Sequence, residues 1–142
     1  SDYRKQIEVD QWLFWQVGNL GPMGGQAHHF RNYSQTKLQY AIERYTNEVN
    51  RLYGVLNKKL SDGREYIAED YTIADMACIG WVRNPERKGQ DLENFPYLKL
   101  WFERMMARPA VIKGVSIGAD INHDLSKDLE AQKILFGQKA RD

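Results

Sequence analysis

The sequence predicts an all-α fold, a bundle of about five helices around one core. Apolar residues between positions 38 and 60 recur at alternating spacings of four and three, which is the period of one helix face. The rest of the chain contains residues that typically begin or end further helices. No stretch alternates apolar and polar residues in the way that a half-buried strand does.

Length and composition indicate one globular domain with an ordinary core. The chain has 142 residues, of which 42% are hydrophobic and 27% charged. Its 20 basic and 19 acidic residues nearly cancel, so we expect no nucleic-acid partner and no anionic membrane. Because there is one cysteine, no secretory leader pattern and no apolar run near the ~20 residues that span a bilayer, we expect a cytoplasmic protein.

The first helix is predicted over residues 7–17, where large apolar side chains fall on more than one face. This distribution indicates a helix that is packed on two sides. Four glycines and a proline follow between Gly18 and Gly25, and this density predicts that the helix ends there in a bend.

The second helix is the most regular element of the sequence. Its stripe consists of seven apolar residues that lie on one helix face: Leu38, Ile42, Tyr45, Val49, Leu52, Leu56 and Leu60. Ser34 is a candidate N-cap, and Asp62-Gly63 is a stop signal because glycine readily takes the left-handed cap conformation.

A capping box marks the start of the third helix. Thr72 and Asp75 stand three residues apart at the head of an apolar run, so each side chain can accept a hydrogen bond from the other residue's backbone N–H. We therefore assign Thr72 and Asp75 a structural capping role. The helix is expected to run to about Val82, since Asn84-Pro85 disfavours its continuation.

Proline positions define the last helices of the predicted bundle. Pro96 opens a helix whose buried face is Leu98, Trp101, Phe102, Met105 and Met106. Arg108-Pro109 interrupts it, and residues 110–115 form a short final helix or turn. We expect a helical domain over residues 1–118 and a polar C-terminal tail over residues 119–142, with one amphipathic patch from Leu125 to Phe136.

Chemically reactive residues are few, and none forms a recognisable catalytic group. His28 and His29 are adjacent, so they point to different sides of a helix and rarely share a metal, and His123 is distant. We predict no metal site and an architectural role for both. The preceding GPMGG segment lacks the Lys-Ser/Thr ending of a phosphate-binding loop. Cys78 lies within an apolar helix and is interpreted as a small buried residue.

Arg44 has two interpretations from the residues alone. It can be a solvated arginine that pairs with Glu48 one turn later, or it can hold a ligand carboxylate through two parallel hydrogen bonds. Four aromatic residues could wall a pocket near it, although such residues usually form core: Trp12, Phe14, Trp15 and Trp81.

Several segments together resemble the C-terminal helical domain of glutathione transferases. They are QWLFWQVGNLGPMGGQAHHF, YAIERYTNEVNRLYGVLNKKL, YTIAD and MMARPAVIKGV. The resemblance covers roughly residues 8–115 and is strongest to the Nu-class bacterial disulfide-bond oxidoreductases and the related yeast nitrogen regulator. Ala68, where relatives often have glycine, is a small departure that affects a turn.

The resemblance implies a glutathione-dependent disulfide oxidoreductase that acts as a homodimer on a small-molecule disulfide or electrophile. Glutathione would be its cosubstrate, with Arg44 holding a glutathione carboxylate and Tyr40 lying one turn earlier as a weaker candidate. The helices over residues 8–17 and 38–60 would line the dimer interface and the active-site cleft.

Family members also carry an N-terminal thioredoxin-like domain that stabilises the glutathione thiolate, and its signatures are absent from this sequence. The 142 residues would then supply half of the cleft and have little catalysis alone. The alternative is a stand-alone helical protein-interaction module without catalysis, whose uncovered face would bind a partner.

Overall fold

The computed structural model describes residues 2–120 and 125–140, and it confirms the all-α prediction. The described residues form seven α-helices: α1 (Tyr3–Trp15), α2 (Gly21–His28), α3 (Gln39–Lys59), α4 (Ile73–Val82), α5 (Pro96–Met106), α6 (Pro109–Ser116) and α7 (Leu129–Phe136). Extended pairing in these residues is limited to an isolated bridge between Ala68 and Asp70. No helix in the described ranges is long and apolar enough to cross a membrane.

The predicted end of the first helix at Gly18 is wrong. After α1 the backbone continues through a π-helical turn (Gln16–Leu20) directly into α2, and a second π-helical turn (His29–Tyr33) follows α2. The N–H of Gly21 donates to the carbonyl oxygen of Gln16, five residues back. Pro22 lies in the first turn of α2 beside this wide turn, where its missing N–H is tolerated.

The glycines of α2 serve close packing rather than a bend. A Cβ atom added to Gly21 would lie 3.3 Å from the Trp81 ring, and one added to Gly24 would lie 3.1 Å from it. Both distances are shorter than ordinary van der Waals contact. Glycine therefore lets the α2 backbone approach the Trp81 side chain from α4.

Within the described residues helix α1 is packed on one side, so the second packed side that the sequence predicts is not formed inside this chain. Val9, Trp12 and Trp15 pack partly buried against the core, and α1 contains no fully buried residue. Phe14 keeps 75% of its surface exposed, and Val17 in the following π-helical turn is also exposed. In the described part of the chain, no element covers this second apolar face.

Helix α3 supplies the centre of the core. Val49, Leu52 and Leu56 are fully buried, as the apolar stripe predicts. The predicted N-cap at Ser34 is wrong, because α3 begins after Leu38 and the Ser34 hydroxyl instead donates to the carbonyl oxygen of Thr36.

The predicted stop of this helix is confirmed. A short 3-10 turn (Leu60–Asp62) follows α3, and Gly63 then adopts a left-handed conformation with φ +89°.

Helices α4, α5 and α6 begin where the sequence signals indicate. The buried face of α5 contains Leu98, Trp101 and Met105. Asn57 of α3 caps its start, since the Asn57 Oδ1 atom accepts hydrogen bonds from the backbone N–H groups of Tyr97 at 2.9 Å and Leu98 at 3.1 Å. This cap ties α5 to α3 across 40 residues of sequence.

The C-terminal segment returns to the second π-helical turn. The Phe136 ring of α7 lies 4.6 Å from the His29 ring and 5.4 Å from the Tyr33 ring, measured between centroids. Gln132 is buried, and its Nε2 atom donates to the carbonyl oxygen of Leu125 at 2.7 Å. The amphipathic patch predicted within the tail is thus helical and packs on aromatic residues.

Candidate functional site

Tyr40 and Arg44 lie one turn apart on the exposed first half of α3. Tyr40 keeps 80% of its surface exposed, and the Arg44 side chain keeps 55%. Residues four apart on a helix share a face, so both side chains present their polar ends on the same side of α3. The structure therefore leaves both predicted ligand-binding residues accessible.

Glu48 lies between two arginines on the same helix. Arg51 holds it with two hydrogen bonds, from Nε at 3.0 Å and from Nη2 at 2.7 Å. The nearest Arg44 nitrogen, Nη1, is 3.9 Å from a Glu48 oxygen, which is too long for a hydrogen bond. The hydrogen bonds from Arg51, with the charge of Arg44 as a smaller contribution, lower the pKa of Glu48 below its usual value.

The four aromatic residues considered near Arg44 have different surroundings. Trp12 and Trp15 pack edge to face with their ring centroids 5.2 Å apart, and Trp81 lies against the glycines of α2. These three are packing residues. Phe14 is the member of the set whose ring is largely exposed to a ligand or a partner.

Asp75 is completely buried and uses both carboxylate oxygens. Its Oδ2 atom accepts a hydrogen bond from the backbone N–H of Thr72 at 3.0 Å. The Thr72 hydroxyl accepts a hydrogen bond from the backbone N–H of Ala74 at 3.3 Å. The predicted capping box of α4 is therefore formed. The Oδ1 atom accepts the backbone N–H of Ile67 at 3.0 Å and the indole N–H of Trp101 at 2.9 Å. Because both carboxylate oxygens accept hydrogen bonds, Asp75 has a structural role that links the start of α4 to the preceding loop and to α5.

The histidines occupy packed positions between helices. The His28 ring lies 4.9 Å from the Tyr33 ring, and its buried Nε2 atom has no hydrogen-bond partner among the described residues. Burial, with added repulsion from Arg87 and Lys88, lowers the pKa of His28. The lowered pKa disfavours the charged imidazolium, which fits an architectural role.

No group of three or more His, Cys, Asp or Glu suited to a metal ion occurs in the part of the chain that the structure describes, and His123 lies outside that part. Cys78 is fully buried, as expected. Burial, together with the charge of Asp75, raises the pKa of its thiol to about 12, so the thiolate that would react is not formed near neutral pH.

An apolar groove of about 410 Å³ runs between α4 and α6. Its lining is almost entirely hydrophobic: Tyr71, Met76, Ile79, Ala110, Val111, Gly114 and Val115. Arg108 is held beside it, with its guanidinium carbon 3.6 Å from the centre of the Tyr71 ring and its Nη1 atom donating to the Tyr66 hydroxyl at 2.8 Å. The buried Nε atom of Arg108 has no acceptor among the described residues.

The sequence analysis does not identify two features of the structure, the ion pair on α3 and the cluster around Arg108. Arg51 lies three residues after Glu48, a spacing that permits an ion pair, but the pairing was assigned to Arg44 alone. The surroundings of Arg108 carried no local signal, because Tyr66 and Tyr71 approach it from about 40 residues earlier in the chain.

The family model of the glutathione S-transferase C-terminal domain matches residues 22–109, which is more than half of the chain. The chain belongs to the glutathione S-transferase family. The Disulfide-bond oxidoreductase YfcG of Escherichia coli (strain K12) is 50% identical to it over 107 residues, covering 75% of this chain and 50% of the relative. The resemblance to the glutathione transferase family, and to its branch of disulfide-bond oxidoreductases, is thus confirmed.

Solved glutathione S-transferase structures confirm the fold. A family member from Pseudomonas fluorescens pf-5, solved with two glutathione bound, is 42% identical with a TM-score of 0.70, covering 77% of this chain and 51% of that chain. Ure2p in complex with glutathione is 38% identical with a TM-score of 0.74, covering 80% of this chain and 56% of that chain. The chain spans about half the length of the curated relatives it matches.

Proposed function

We propose that this chain is the helical half of a glutathione-dependent disulfide oxidoreductase and contributes part of the glutathione and substrate cleft. The observation that carries the proposal is the accessible Arg44, whose guanidinium makes no short hydrogen bond to any described residue and lies one turn from exposed Tyr40. An accessible arginine binds a carboxylate through two parallel, charge-assisted hydrogen bonds. The similar proteins, a disulfide-bond oxidoreductase and transferases solved with glutathione, supply the ligand class.

In this proposal Arg44 holds a glutathione carboxylate and Tyr40 flanks the same ligand. A thioredoxin-like half would provide the groups that stabilise the glutathione thiolate, since catalysis of thiol–disulfide exchange needs the thiolate form. The second substrate would be a small-molecule disulfide or electrophile. None of the described side chains is assigned a catalytic step.

Exposed apolar surfaces support a partner for this half. The groove between α4 and α6 offers an apolar surface that a covering domain could bury.

The uncovered face of α1 around Phe14 supports a homodimer contact.

We assign the helical domain to residues 1–118 and the C-terminal tail to residues 119–142. We also assign the protein to the cytoplasm.

The test joins this chain to the thioredoxin-like half of the Escherichia coli relative and measures glutathione-dependent reduction of a small disulfide. We expect activity in the fusion and an at least ten-fold higher KM for glutathione in Arg44→Ala, since a charge-assisted contact contributes roughly 1.5–3 kcal/mol. Lys58→Ala, which removes a charge at the other end of α3, is the matched control.

An unchanged KM in Arg44→Ala would remove Arg44 from the site. A well-folded fusion without any activity, in which the chain still binds a protein partner, would favour the non-catalytic interaction module.

A further inference from the structure

The exposed side of α3 carries one carboxylate between two guanidinium groups. Both Glu48 oxygens are engaged by Arg51, which presents its Nε and Nη2 atoms side by side. Arg44 faces the same carboxylate from the preceding turn, but its closest approach is 3.9 Å. The two arginines therefore compete for one acceptor, and Arg51 has the shorter contacts.

The geometry of the pair favours Arg51 as the lasting partner. A side-on pair satisfies two donors and two acceptor oxygens at once, and it is the strongest arrangement of an arginine with a carboxylate. Glu48 keeps only 17% of its side-chain surface exposed, and both of its oxygens are already used by Arg51. Arg44, whose side chain keeps 55% of its surface exposed, has no hydrogen bond to Glu48.

We infer that Arg51 is a positioning residue, which occupies Glu48 and thereby keeps Arg44 available for a glutathione carboxylate. The inference rests on the proposed role of Arg44 as the carboxylate-binding residue. Without Arg51, the Glu48 carboxylate is free to pair with Arg44, since residues four apart on a helix are neighbours. A ligand must then break that pair before it binds, and its apparent affinity falls.

An opposite role for Glu48 makes a different prediction. If Glu48 instead orients Arg44 for the ligand, Glu48→Gln weakens binding by itself. If Arg51 screens Arg44 from Glu48, Glu48→Gln leaves binding unchanged or improves it, and it also rescues the loss caused by Arg51→Gln. The combination of single and double variants separates these two roles.

The first measurement uses the chain itself and needs no ligand. NMR of the arginine side chains reports how fast each Nε–H exchanges with water, and we expect slower exchange for Arg51 than for Arg44. In Arg51→Gln the exchange at Arg44 should slow by several-fold, because Glu48 now accepts from it. Lys58→Gln, a neutralised charge on the same helix, should leave Arg44 unchanged.

The second measurement uses the fusion with the thioredoxin-like half. Arg51→Gln should raise the KM for glutathione about two- to five-fold with kcat unchanged, the size expected from an exposed ion pair. Arg51→Gln combined with Glu48→Gln should return the KM to the parent value. A general loss of structure would lower kcat and would not be rescued by a second substitution.

Two results would overturn the inference: a KM that rises in Glu48→Gln alone, or a KM unchanged in Arg51→Gln while Arg44→Ala raises it. Failure of the proposed function looks different, because Arg44→Ala would then leave the KM unchanged. In that case the exchange of the Arg44 Nε–H still tests the competition for Glu48.

Discussion

At the scale of single residues, Asp75 joins three parts of the chain through one carboxylate. It closes the first turn of α4 at Thr72, fixes the backbone of the preceding loop at Ile67 and satisfies the indole of Trp101 in α5. All these donors lie in or at the edge of the core, where a polar group without a partner costs about 1–3 kcal/mol. Asp75 therefore stabilises contacts between elements as well as its own helix.

Replacing Asp75 should cost far more than replacing its capping partner. We expect Asp75→Ala to lower the free energy of unfolding by about 3 kcal/mol or more, because three N–H donors lose their acceptor. Thr72→Ala should cost about 1 kcal/mol, the usual value for an N-cap side chain. Urea denaturation of both variants gives the comparison, and equal losses would show that the links to Ile67 and Trp101 contribute nothing.

Arg44 and Tyr40 show how far the sequence determines the candidate site. Their spacing on one predicted helix is enough to place them on the same exposed face, and a family resemblance supplies their ligand. The i,i+3 spacing of Glu48 and Arg51 was also visible, but choosing between two arginines for one carboxylate needs side-chain geometry. The cluster around Arg108 depends on tertiary packing, which no local pattern specifies.

At the scale of elements, most helix ends with a local signal were predictable, whereas the start of α3 and the glycine-rich segment were not. The end of α3 at Gly63 and the start of α4 after Thr72 depend on residues within one turn. The segment from Gly18 to Gly25 is helical throughout, and Trp81, nearly 60 residues later, packs on its backbone from Gly21 to Gly25. A glycine that breaks an isolated helix can thus be the residue that lets a packed helix form.

Two glycine substitutions in this segment should change stability in opposite directions. A Cβ atom at Gly18 meets nothing within 4 Å, so Gly18→Ala should raise the free energy of unfolding by about 0.5–1 kcal/mol through helix propensity. At Gly24 the new methyl group would press on the rigid Trp81 ring at 3.1 Å, and overpacking should outweigh propensity by about 1 kcal/mol or more.

Thermal unfolding of the two alanine variants measures the difference between them. Stabilisation by Gly24→Ala as large as that by Gly18→Ala would mean that Trp81 does not restrict the α2 backbone.

At the scale of the whole molecule, the core and the exposed apolar surface lie on different sides of the same helices. Helix α3 buries Val49 and Leu56 while its first turns present Tyr40, and α1 packs Trp12 inward while it exposes Phe14. Isolated exposed apolar residues are ordinary, but a face that continues from α1 into the next turn at Val17 is typical of an interaction surface. In the proposed homodimer a second copy of the chain covers this face.

A charge placed on this face should therefore disrupt association and leave the fold intact. Phe14→Glu should shift the chain from dimer to monomer in sedimentation velocity experiments, since burying an unpaired carboxylate at an apolar contact is strongly unfavourable. Because Phe14 is 75% exposed in the single chain, its unfolding midpoint measured at low protein concentration should change little. Ile112→Glu, at a residue that is 51% exposed on α6, should stay dimeric as the matched control. A Phe14→Glu variant that remains dimeric would place the contact between copies elsewhere and leave the α1 face for the thioredoxin-like half.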